Sequence, residues 1–222
     1  MNHLMIDIET MGCSQTAAIV SIAAVEFDMT GRTGETFYNV IDLQSCLDYR
    51  LEMDGSTVMW WLRQSEAARK ELTESKAVNL PTALLDFSAW INKREYEVWA
   101  NGARFDLGIL SNAYQVCGIA VPWHFRKERD VRTLVSVQPG IKKLHVPIGT
   151  AHHALDDCNN QIMYLTKTWQ WIYAKLEGNI ERAAEMLKSI NLTAAADRPG
   201  PSPEHRGVKT IGHGEADDFL TA

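Results

Sequence analysis

Two apolar periods succeed one another along the chain. Leu4 to Ile8 is a short β-prone run, and Ala18 to Phe27 is apolar almost throughout, as a largely buried strand requires. Glu35 to Leu43 reads as a third strand, joined to the second by the turn Met29-Thr30-Gly31-Arg32-Thr33-Gly34. Helical spacing then takes over. Ser56 or Thr57 can cap a helix carrying Val58, Trp61 and Leu62, and a second short helix covers Ser65 to Leu72. Pro81 sits in the first turn of a helix through Ile91, with Leu84, Leu85, Phe87 and Trp90 as its buried positions.

Glu95 to Asn101 returns to strand, and Asp106 to Val116 is helical and ended by Gly118. Asp130 to Val135 starts another short helix, Pro139 to Gly149 reads as loop, and Leu155 to Leu176 keeps helical spacing up to Gly178. Asn179 can cap a last helix reaching about Ile190. After Leu192 the composition shifts to Ala, Pro, Gly and charge, too poor in apolar surface to offset the entropy of ordering. The expected organisation is one folded domain over residues 1–192 and a flexible tail over 193–222. Strands first, then helices alternating with strands, predict an α/β fold: a mixed central β-sheet flanked by α-helices.

Acids interrupt this apolar pattern at three places. Asp7 and Glu9 share one face of the first strand, about 7 Å apart along the backbone. Asp106 follows the strand Val98-Trp99-Ala100 and the tight turn Asn101-Gly102, near a helix start whose dipole favours a carboxylate. His152 and Asp157 are spaced as His-x-x-x-x-Asp, with Asp157 in the first turns of the long helix and His152 on the loop before it. Carboxylates set in apolar surroundings cost desolvation energy unless a positive partner sits between them. A pair of divalent ions is such a partner, and two-metal sites perform phosphodiester chemistry. A free imidazole titrates near 6.5, so a histidine beside such a site is a competent general base. Asp156 and His153 turn away from their neighbours and are decoys. Each element alone has a plain alternative: solvated acids at a strand edge, a helix-start carboxylate, a histidine-rich surface loop.

A net charge of −6 argues against a passive nucleic-acid coat but not against a nuclease, whose bound metals cancel its acids. Cys13, Cys46, Cys117 and Cys158 form no C-x-x-C pair, which suits a reducing compartment and offers no zinc site. With no bilayer-length apolar run and no basic-then-apolar leader, the expectation is a soluble cytoplasmic protein without a membrane partner.

Taken in order, Asp-x-Glu on a strand, Asp at a strand-to-helix junction and His-x4-Asp on a helix, the set resembles the DEDDh exonucleases of the RNase H-like superfamily. That family includes RNase T, oligoribonuclease and the proofreading subunit of bacterial DNA polymerase III. Asn101-Gly102-x-x-Phe105-Asp106 and the Trp60-Trp61 helix look most similar to the subgroup of the phage exonuclease DexA and its bacterial exoribonuclease-like relatives. The resemblance spans roughly Met1 to Leu176 and implies an RNase H-like fold. It implies Asp7, Glu9, Asp106 and Asp157 as ligands of two Mg²⁺ or Mn²⁺ ions, with Asp7 bridging both, and His152 as the base that deprotonates water. The implied reaction releases nucleoside 5′-monophosphates from the 3′ ends of single-stranded DNA or RNA. Met11 falls where the family often has an apolar wedge, the alternative being a residue packed on the core. Thr10, Asn101 and Phe105 complete the candidate substrate contacts, although Phe105 also suits a core position.

Other features stay open. Trp60 and Trp61 are adjacent, so one can be core while the other faces outward towards a base or a neighbour. Arg63, Arg69 and Lys70 suit either phosphate contacts or a solvated helix face. Arg126, Lys127, Arg129 and Arg132, with Lys142, Lys143 and His145, are the densest basic stretch and a candidate phosphate-guiding rim. The family often forms homodimers, and the tryptophan-rich helices offer surface for one, but no position marks an interface. Glu215 to Leu220 in the tail is either a protein-partner motif or a spacer. The rival functions are an endonuclease on the same fold and a non-catalytic nucleic-acid-binding accessory protein.

Overall fold

The computed structural model describes residues 1–74, 76–91 and 94–177. Five strands form one sheet: β1 (His3–Thr10), β2 (Ile19–Phe27), β3 (Thr33–Val40), β4 (Glu97–Ala100) and β5 (Glu128–Asp130), in the order β3-β2-β1-β4-β5. The first three strands pair antiparallel, while β4 lies parallel to both β1 and β5. The mixed sheet of the sequence reading is therefore present.

Strand β1 is central and covered on both faces. Leu4, Ile6 and Ile8 point into one core with Leu84 and Phe87 of α4 (Leu80–Ile91) and Leu107, Leu110 and Tyr114 of α5 (Ala103–Val116). Met5 points the other way, into a core with Ala154, Cys158, Ile162 and Leu165 of α8 (Ala154–Glu177) and with Val131 and Val135 of α6 (Val131–Val135). Burial on both faces explains why β1 and β2 carry apolar runs rather than strict alternation. Asp7, two positions on from Met5, interrupts the second face as the strand leaves the core.

Several boundaries differ from the sequence reading. Strand β3 stops at Val40, and α1 (Leu43–Asp48) follows because the Asp42 carboxylate accepts a bond from Gln44 N. The cap of α2 (Gly55–Trp61) is Asp54, which accepts from both Ser56 N and Thr57 N, rather than either hydroxyl residue. After it come the turn at Leu62 and α3 (Glu66–Glu74). Leu85 and Leu62 are exposed, not buried. The stretch read as loop contains α7 (Pro139–Lys143), opened by its proline. Strand β5 is only Glu-Arg-Asp, held by pairing to β4 with no apolar pattern to announce it. The helix expected from Asn179 and the tail over 193–222 lie outside the described residues. The four cysteines are free thiols. Among the described residues no helix is long and apolar enough to cross a membrane.

One acid ties two helix starts together. Asp130 caps α6 through Thr133 N at 2.8 Å, and its other oxygen accepts Ala103 N, the first residue of α5, also at 2.8 Å. Burial works against ionising this carboxyl, but the bonds from Ala103 and Thr133 outweigh it and hold it below the usual carboxylate range. Asp130→Ala should therefore lower unfolding stability by about 2 kcal/mol, the sum of a lost cap and a lost backbone partner. Denaturant melts check this, and a change below about 0.5 kcal/mol would show that water replaces the carboxylate.

Candidate active site

Asp7 and Glu9 leave β1 on the same side, and a register shift between Glu9 and Thr10 ends the regular pairing with β2 at that point. Asp106 enters from the first turn of α5, following Gly102, whose φ of 119° only glycine adopts without strain. Asp106 is buried, with Oδ1 accepting Ile8 N at 3.3 Å, so it is fastened to the strand that carries the first two acids. Asp157 lies in the first turn of α8. His152 precedes that helix in the left-handed region, at φ 63°. Its ring meets the Trp60 ring edge-on at 4.7 Å, and Trp61 stands behind at 6.3 Å. Trp61 is buried and donates its Nε1–H to Thr10 O at 3.0 Å, whereas Trp60 is 39% exposed. The pair divides as the sequence allowed.

All five residues line one groove of about 480 Å³. Ligand-capable atoms of Glu9, His152 and Asp157 lie within 4.8 Å of one another. Burial, then repulsion from Asp106 and Glu9, drives the Asp7 carboxyl far above the ordinary range, despite the 2.6 Å bond from Gln161 Nε2. Burial, then Asp157 and Asp106, pushes Glu9 up to about 8. Burial raises Asp106 to about 7, against the pull of its Ile8 bond. Asp157 is raised by burial, partly offset by the His152 ring. Two buried acceptor oxygens on the groove wall, Asn101 Oδ1 and Gln161 Oε1, have no donor among the described residues. Crowded carboxylates that resist ionisation, beside neutral oxygens without donors, fit hard divalent cations.

Asn101 and Phe105 line this groove, and Phe105 also lines an adjoining cavity of about 450 Å³ with Thr10, Trp60 and Arg63. The Thr10 hydroxyl is turned to Gly12 O at 2.7 Å, and Met11 packs in the core at 6% exposure. The basic rim divides: Arg132, Lys142 and His145 line the groove, Lys143 and Arg126 are not among its lining residues, and Lys127 and Arg129 both pair with Glu97. Lys70 pairs with Glu66, and Arg69 donates to Leu62 O. The decoys hold the adjoining backbone: Asp156 accepts Thr150 N at 2.8 Å, and His153 stacks on Tyr38. Asn160, Gln161 and Tyr164 escaped the sequence reading. Their signal was spacing, since three, four and seven residues after Asp157 share its helix face.

Residues 2–169 match the model of the family described as the 3′-5′ exoribonuclease Rv2179c-like domain. The exodeoxyribonuclease of enterobacteria phage T4 is 28% identical over 200 residues, covering 74% of this chain and 88% of that protein. The zinc-bound E. coli exonuclease I–single-stranded DNA complex superposes with a TM-score of 0.58 at 16% identity, over 81% of this chain. This chain spans only 43% of exonuclease I. The nuclease domain of 3′hExo, a DEDDh family member bound to rAMP, gives a TM-score of 0.50 at 16% identity, over 75% of this chain and 90% of that domain. The shared fold of these structures is the RNase H-like one.

The acid cluster sets a pH dependence. Glu9 ordinarily titrates at 4.5 and here at about 8, so the metal-free protein loses stability as pH rises through that window. Glu9→Gln removes this contribution. At pH 8 without metal the variant should melt higher than wild type, on the order of 5 °C, with the difference vanishing near pH 4.5. Parallel melting curves across the range would show that Glu9 is not strained by its neighbours.

Proposed function

Because this chain belongs to the 3′-5′ exoribonuclease Rv2179c-like domain family, we propose that it removes nucleoside 5′-monophosphates from the 3′ end of single-stranded DNA or RNA, using two divalent ions. The 3′-5′ exonuclease class follows from the family. The carrying observation is the convergence of Glu9, His152 and Asp157 ligand atoms within 4.8 Å, in a groove shared with Asp7 and Asp106. The four carboxylates would hold Mg²⁺ or Mn²⁺, the hard cations that all-oxygen donor sets prefer. When bound, such ions supply Lewis-acid activation of water and charge stabilisation at the departing 3′ oxygen.

The chain's own residues do the rest. His152 accepts the proton of the attacking water, and the Asp157 carboxylate beside it stabilises the imidazolium that forms. The edges of Trp60 and Trp61 limit the ring's swing. Gln161, donating to Asp7 Oδ1, fixes one of the carboxylates that would hold the ions. The terminal nucleoside occupies the cavity between Trp60 and Phe105, where it adjoins the groove at Glu9. Asn101 lines the groove and Thr10 the cavity, while Met11 is buried in the core.

The test uses 5′-labelled single-stranded DNA and RNA of matched sequence with Mg²⁺, Mn²⁺ or EDTA. A ladder shortening from the 3′ end should appear with metal and vanish in EDTA or with Asp7→Ala, and the faster strand names the substrate. Single-stranded circles should stay intact; their cutting would favour an endonuclease. Binding without cleavage under every metal would favour the accessory-protein reading. His152→Ala should slow cleavage by about 10²- to 10⁴-fold while metal affinity is kept.

A further inference from the structure

The segment between α7 and His152 is held in an unusual way. Leu144, Val146 and Ile148 are 85%, 78% and 55% exposed, so hydrophobic burial does not fix it. Asn160 of α8, itself 6% exposed, does so with three of its four hydrogen bonds, the other running back to Asp156 in its own helix. Its Nδ2 donates to Ile148 O and Asp156 O, both at 2.9 Å, and its Oδ1 accepts Ile148 N at 2.9 Å. Backbone carbonyls only accept and a backbone N–H only donates, so the amide has one possible orientation. The fourth bond, His145 Nε2 to Asn160 Oδ1 at 2.9 Å, must therefore be an N–H donated by the histidine. Asp156 secures the far end through Thr150 N, with its carboxylate against Gly149, where φ is 81° and a side chain would collide.

With its aliphatic side chains facing solvent, this arm turns His145 and Pro147 onto the groove wall, where Lys142 of α7 and Arg132 of α6 join them. Among the described residues neither Lys142 nor Arg132 forms an ion pair, in contrast to Lys127 and Arg129, which share Glu97. The Lys142 ammonium lies 5.0 Å over the Tyr164 ring. The Arg132 guanidinium packs where a Cβ on Gly102 would stand, 2.9 Å from its Cζ. The Arg132 charge is still felt by the Asp106 and Asp130 carboxyls, whereas Lys142 meets a ring, and cations on a groove wall free of a direct carboxylate contact suit an anionic ligand. In the reading above, the charge of the phosphodiester being cut is met by ions at the carboxylates, so the rim is left for a second phosphate. We propose that Arg132, Lys142 and His145 form a subsite for the phosphate upstream of the cut, with Asn160 as the positioning residue that holds the arm; this rests on the exonuclease reading.

Two substrates separate the subsite from the reaction centre. Thymidine 5′-monophosphate p-nitrophenyl ester has one phosphodiester and no upstream phosphate, whereas an oligonucleotide has both. Lys142→Ala should lower kcat/KM on the oligonucleotide about tenfold, through KM, with a much smaller loss on the ester. The log–log salt slope for oligonucleotide binding should shrink by about 0.7, the value for one phosphate contact on a single strand. Lys143→Ala, on the same helix but outside the groove, should keep wild-type kinetics. Asn160→Ala should reproduce the KM shift with Lys142 still present, melting curves separating this from unfolding. The subsite is overturned if both lysine variants weaken the oligonucleotide alike, or if ester and oligonucleotide fall together. Should the wild type cleave neither substrate, the exonuclease reading fails instead. Anisotropy of a labelled oligonucleotide then still decides the subsite: Lys142→Ala must weaken binding and Lys143→Ala must not.

Discussion

Asp7, Glu9, Asp106 and Asp157 are gathered where β1 leaves the core, and each is made harder to ionise by burial, with mutual repulsion adding at Asp7 and Glu9. Such a cluster destabilises a fold in the absence of counter-charge, and the surroundings show how it is carried. Asp106 is fixed by Ile8 N, and Asp7 by Gln161, so the acids nearest the core cannot turn away from one another. Burial on both faces of β1 removes the remaining freedom, because shifting the strand by one residue would drive Asp7 and Glu9 into the opposite core. Within the protein the repulsion is retained, and divalent cations are the counter-charge that would relieve it.

Second contacts extend this rigidity to the histidine. Trp61 is bonded to Thr10 O, directly after the acids, and its neighbour Trp60 meets the His152 ring. A single helix, α2, thus links the end of β1 to the loop before α8. On the other side, Asp156 and Asn160 pin the same loop from α8 itself, at Thr150 and Ile148. His152 is held between two independent supports, which accounts for a non-glycine residue resting at φ 63°.

Much of this was legible in the sequence where chemistry and period coincide. Asp7 and Glu9 interrupt a strand at alternate positions, and His152 and Asp157 bracket a helix start, so pattern and residue type pointed to one place. Resemblance to the DEDDh enzymes joined the pieces into one groove; no periodicity does that. What stayed hidden depends on tertiary partners. Strand β5 exists because β4 offers it an edge, and Glu-Arg-Asp has no strand pattern. Lys127 and Arg129 read like Arg132 until Glu97 claims them. Asn160 and Gln161 sit in a helix whose apolar spacing was noticed while its polar face was not.

The same partition resolves the tension between an acidic chain and a nucleic-acid substrate. A net charge of −6 describes the whole molecule, whereas a bound strand feels charges within about a Debye length of ~10 Å. Four of the acids in that total crowd into the groove, where two divalent ions would cancel them. Other acids, such as Glu97, Asp28 and Glu66, are spent on neighbouring cations. What remains facing the groove is Arg132, Lys142 and the two histidines. Sharing the groove with the acids, they would let a metal-loaded groove attract phosphate locally, although the net charge of the chain as a whole repels it.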